Sequence, residues 1–146
     1  MSTANPLRSY KTIATQTASP GRLVVMLYDG AISFLERALA GFSHADPCEF
    51  NATINNNILR AQEIINALDA SLDLAQGGKL AATLRNLYCY MDRQLTMSNA
   101  RKTPEGIRDT LTRLTTLRDS WNRVQQAPPA TTLLPDEPGA SLSVAS

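Results

Sequence analysis

The chain has 146 residues, 43% of them hydrophobic and 18% charged, with a formal net charge of +1. That length suits one domain with a core of its own, so no disulfide or metal staple is needed. The near-neutral balance argues against a large electrostatic footprint for nucleic acid, and no apolar run approaches the ~18 residues of a membrane span.

Residues 1–18 are polar, with Pro6 and many Thr, Ser and Ala. Leu7, Tyr10 and Ile13 stand three apart, which suggests a marginal helical turn able to dock elsewhere but too short to be stable alone. The segment has neither the basic start nor the apolar run of a signal peptide. Cys48 and Cys89 form no spaced metal pattern and are expected to stay reduced. A cytoplasmic protein is therefore expected.

Ser19-Pro20 opens the first helix with a polar cap and proline at the first helical position. This helix is expected to reach about Phe42. Its main stripe is Leu23, Met26/Leu27, Gly30, Phe34 and Ala38, at 3–4 spacing. Asp46-Pro47-Cys48-Glu49 starts the second helix as cap, first position and capping-box acid. Phe50, Ile54, Ile58, Ala61, Ile65, Leu68 and Leu72 form its stripe, and Gly77-Gly78 breaks the chain.

The third helix carries Leu80, Leu84, Leu87/Tyr88, Met91 and Leu95. It ends near Arg101-Lys102, cations that suit a helix C-terminus. Thr103-Pro104-Glu105 repeats the start signal for a fourth stripe of Ile107, Leu111, Leu114, Leu117, Trp121 and Val124. Past Gln126 the pattern fails among Pro128, Pro129, Pro135 and Pro138, and residues 126–146 read as a disordered tail. Short connectors make an antiparallel up-down four-helix bundle the natural packing of residues 19–125. Positions 79–123 hold nine Lys/Arg against four Asp/Glu, a charge excess read as a solvated face.

Catalytic chemistry is missing. The one histidine, His44, falls in a connector. No Glu-x-x-His of the kind used by di-metal bundles is present, and no phosphate loop follows a strand because no strand is expected. Cys89, between two tyrosines, is read as a small packing residue. No enzyme, cofactor or metal is expected.

The first helix has more apolar surface than one seam between helices uses. Val24, Val25, Tyr28 and Ile32 lie off the main stripe, and Val24, Tyr28 and Ala31 share a flank at ~100° per residue. As a set they are expected to form a second contact surface. Mid-helix Gly30 costs ~1 kcal/mol relative to Ala, which points to close approach by a backbone or ring. Asp29 beside it is left open between a neighbouring helix, a docked segment and water.

These residues resemble the flagellin-specific export chaperones of the FliS family. The resemblance runs from about Tyr10 to Val124. It includes Ala18-Ser19-Pro20, Leu23, Met26-Leu27-Tyr28-Asp29-Gly30-Ala31, Ala61 with Ile64-Ile65, Leu68 with Ser71-Leu72-Asp73, and Gly77-Gly78. Leu84, Leu87-Tyr88, Tyr90-Met91, Asn99, Leu117-Arg118 and Trp121 complete it. Ser98 departs from the alanine usual there, and the tail after Gln126 lies outside the resemblance.

The resemblance implies a four-helix bundle that binds the C-terminal segment of newly made flagellin in the cytoplasm, prevents early polymerisation and delivers the subunit to the flagellar export gate. It implies no ATP or metal. No nucleic acid or membrane insertion is expected from the charge balance and hydropathy, and the free protein is expected to be a monomer or weak homodimer. Leu23, Val24, Leu27, Tyr28 and Ala31 are the expected flagellin-binding residues, with Leu7 and Tyr10 as an internal cover over the same groove. The rival reading is a non-catalytic adaptor bundle whose surplus apolar surface is a homodimer seam.

Overall fold

The computed structural model describes residues 20–126, and every described element is helical. The order is α1 (Pro20–Ala40), a 3₁₀ turn (Gly41–Ser43), α2 (Pro47–Ala70), α3 (Leu74–Arg101) and α4 (Glu105–Gln126). Each start has a chemical reason. Pro20 and Pro47 fill first positions, where a missing N–H costs nothing. Asp46 accepts from the Glu49 amide at 3.0 Å, as expected.

Other boundaries move. α1 stops at Ala40 and tightens into the 3₁₀ turn before Phe42. α3 begins at Leu74 because Asp73 caps it, accepting from the Gln76 amide at 3.0 Å. The expected break survives inside that helix at Gly78, whose φ of 57° and ψ of −136° only glycine adopts freely. α3 ends with Lys102 left-handed at φ 52°. There the Lys102 ammonium donates to the Asn99 carbonyl at 2.8 Å, a cation closing the negative helix end.

Inter-helix bonds give the register. Along α2 and α3, Asn55 meets Asn99, Gln62 meets Asp92, and Asp69 faces Arg85. Partners climb one helix as they descend the other, so the pair is antiparallel. Asp29 with Arg118, and Gly21 with Gln125, give the same sense for α1 and α4. Tyr90 with Arg113, and Gln94 with Gly106, give it for α3 and α4. Each helix packs on its neighbours in chain order and α4 returns to α1, the expected antiparallel up-down bundle.

One continuous core fills the middle: Tyr28, Leu35, Ile54, Ile58, Ile65, Met91, Leu95, Ile107 and Leu114 are fully buried. Ser98 is also buried, with its hydroxyl against Gly106, where α3 and α4 approach closely. Two residues assigned to core stripes are on the surface instead: Leu80 is 44% exposed and Val124 61%. Both lie near helix ends at one end of the bundle, Leu80 in the second turn of α3 and Val124 in the last turn of α4. Cys89 is exposed rather than packed, because α3 turns it away from both neighbouring helices. The docking segment expected at 1–18 and the tail expected beyond Gln126 lie outside the described residues.

Candidate binding face on the first helix

α1 is apolar over more than half its circumference, and the structure decides which part is core. Val24, Leu27, Tyr28, Ala31, Leu35 and Ala38 face inward and are buried. Leu23, Met26, Gly30 and Phe34 are only half-buried. The sequence reading is thus inverted by about one residue step of the helix. Most of the row taken as the core stripe is only half-buried, and the flank taken as surplus is core. Leu27 and Ala38 of the main stripe stay inside. Val25 and Ile32, also read as surplus, are buried too.

The cause is Tyr28. Its ring is fully buried, and its hydroxyl hydrogen-bonds the Tyr88 hydroxyl on the diagonal helix α3 at 2.5 Å. A buried phenol needs such a partner, and the partner sits on one side only. Fixing Tyr28 inward rotates Val24 and Ala31 inward with it and turns Met26 and Gly30 outward. Burial pushes the Tyr28 hydroxyl above its ordinary value near 10, while the Tyr88 and Trp121 side chains pull it back. Tyr88 is raised strongly, first by burial and then by Tyr28 and the charge of Asp69.

The half-buried row runs along the α2 edge of α1. Gly41 continues its line and packs on Thr53 and Ile54 of α2. Arg37 lies over the Phe34 ring at 5.2 Å from its centre, leaving a cation at the margin of an apolar strip. Beyond it, Phe42 and Phe50 meet edge to face at 5.4 Å and close that end of the α1–α2 seam. Asp29, on the other edge, takes a 2.8 Å hydrogen bond from Arg118 of α4, which resolves its role in favour of a neighbouring helix.

Of the expected flagellin-binding residues, Leu23 is half-buried and Val24, Leu27, Tyr28 and Ala31 are buried in the core. Leu7 and Tyr10 lie outside the described residues. Met26 and Phe34 are the surface residues the sequence reading assigned to packing; their signal was an apolar arc too wide for a single seam.

Among the described residues no three His, Cys, Asp or Glu side chains converge as metal ligands. His44 is exposed, with its Nδ1 3.5 Å from the Glu49 carboxylate. No described helix is long and apolar enough to cross a membrane.

The family described as "Flagellar protein FliS" matches residues 3–128. The flagellar secretion chaperone FliS of Salmonella typhimurium is 32% identical over 128 residues, covering 85% of this chain and 93% of the relative. Its namesake from Bacillus subtilis is 29% identical over 127 residues, covering 87% and 91%. That from Vibrio cholerae is 28% identical over 123 residues, covering 81% and 87%. With a family match across nearly all of α1 to α4 and the leading segment, the chain belongs to the FliS family of flagellar proteins.

Proposed function

We propose that this chain is a cytoplasmic flagellar secretion chaperone that holds newly made flagellin by its C-terminal segment, keeps it from polymerising early and passes it to the export gate. Family membership supports the class: the relatives' shared name is that of a chaperone, not of an enzyme. The half-buried row Leu23, Met26, Gly30 and Phe34 is the structural observation that carries the binding mode. An amphipathic client helix would lay its apolar face along this strip, the helix-in-groove mode. Gly30 lets the client backbone come close without a side chain between.

Magnitudes require more than one contact. Burying one large apolar side chain contributes ~1.5–3 kcal/mol, and ordering a disordered segment costs roughly 2–5 kcal/mol. Several positions along the strip must fill together. The test is co-purification of the full chain with a fragment carrying flagellin's C-terminal segment, followed by sedimentation. A heterodimer is expected. A tight homodimer that ignores the fragment would replace this reading with the adaptor bundle.

A further inference from the structure

The α3–α4 edge carries an apolar furrow at the end of the bundle where the chain leaves α4. Lower on that edge the helices are closed: Arg113 lies 4.8 Å above the Tyr90 ring centre, and a Cβ on Gly106 would come within 2.7 Å of the Gln94 carbonyl oxygen. The same antiparallel register, continued toward the end of α4, sets Leu87 opposite Leu117 and Leu80 opposite Val124. Leu87, Leu117 and Trp121 are half-buried against the core, while Leu80 and Val124 are the exposed pair noted above. A single exposed leucine is ordinary; a row along one groove marks a contact surface. The rim is basic, since Lys79 and Arg123 are exposed and face no carboxylate among the described residues.

The sequence supplies a matching occupant. α4 ends at Gln126, and the chain continues for 20 residues that include Thr131-Thr132-Leu133-Leu134-Pro135-Asp136-Glu137-Pro138. Two adjacent leucines are followed by the only carboxylate side chains after Asp119. Residues 127–132 span about 20 Å when extended, whereas Val124 to Leu117 is about 10 Å of helix, so the leucines can turn back and reach the furrow. The family match stops at residue 128, so the family assigns this segment nothing.

We propose that Leu133 and Leu134 dock in the α3–α4 furrow of their own chain, with Asp136 and Glu137 set against Lys79 and Arg123. Tethering raises the local concentration of the segment, so a small contact suffices. The furrow is separate from the α1 strip and does not depend on what that strip binds.

Trp121 is the chain's one tryptophan and is half-buried on α4 between Leu117 and Val124, so its emission reports whether that row is covered. In the full chain, L133D/L134D is expected to shift Trp121 emission to the red and raise its quenching by acrylamide, with helical circular dichroism unchanged. Asp136→Asn with Glu137→Gln should move emission the same way by less, and high salt should do so in the parent chain. Unchanged emission and quenching in L133D/L134D would overturn the proposal. So would Trp121 protection in the parent chain that disappears on dilution, which would make the occupant a second copy.

Discussion

Tyr28 and Tyr88 join hydroxyl to hydroxyl at 2.5 Å across the diagonal of the bundle, from α1 to α3. These helices are not neighbours around the ring, so the bond ties the two sides of the core together. It also sets the rotation of α1 and, with it, which apolar row meets solvent. Removing one hydroxyl leaves the other buried without its partner, which costs about 1–3 kcal/mol. Tyr28→Phe and Tyr88→Phe should each destabilise by that order in urea unfolding. The double variant should lose clearly less than the sum, because no phenol is then left unpaired. Strict additivity would show that the two hydroxyls act independently.

Alkaline pH tests the same pair. Both tyrosines have folded-state values above the ordinary 10.0, with burial the first cause in each. A group raised in this way keeps its full stabilising contribution below its unfolded value. That contribution is lost as pH climbs past about 10, where the unfolded chain ionises and the folded chain does not. Stability should therefore be insensitive to these groups at neutral pH and fall steeply above pH 10. Phenolate absorbance should show Tyr28 and Tyr88 ionising only together with loss of helical circular dichroism. Native-state ionisation of all four tyrosines would contradict their burial.

Helix count and helix starts were legible because they are local. Asp46 with Pro47 needs no knowledge of the rest of the fold to begin a helix, and α2 starts there. The Asp73 cap was equally local but was passed over in favour of Gly77-Gly78, which interrupts α3 rather than starting it. The facing of α1 was not local. Leu23, Met26 and Phe34 are as apolar as Val24, Leu27 and Leu35, and period alone gives both rows the same 3–4 spacing. Only the reach of Tyr28 to a residue 60 positions away separates them. Leu80 and Val124 failed for a related reason: among the described residues, a stripe continues in sequence past the point where a neighbouring helix covers it.

Gly106 is the tightest point between α3 and α4. A methyl there would collide with the Ser98 hydroxyl and stand 2.7 Å from the Gln94 carbonyl oxygen. Backbone cannot swing aside as a side chain can, so α4 would have to move. Gly106→Ala should cost ~1–3 kcal/mol, as overpacking does, despite alanine's better helix propensity. Ser98→Ala should recover part of this loss by removing one of the two obstacles. Thermal unfolding of the single and double variants checks both, and a stabilised Gly106→Ala protein would refute the close approach.

The two rows of α1 make opposite predictions for one substitution. Leu27 is 5% exposed in the core, so Leu27→Asp buries an unpaired charge and should unfold the bundle, removing client binding only as a consequence. Met26 is half-buried on the outer row. Met26→Asp should leave helical circular dichroism intact and weaken flagellin binding by at least tenfold, about 1.4 kcal/mol. Calorimetric titration with the C-terminal fragment, read beside circular dichroism, separates the cases. If Met26→Asp binds normally while Leu27→Asp stays folded and fails to bind, the client takes the inner row, and the bundle must open along α1 to admit it.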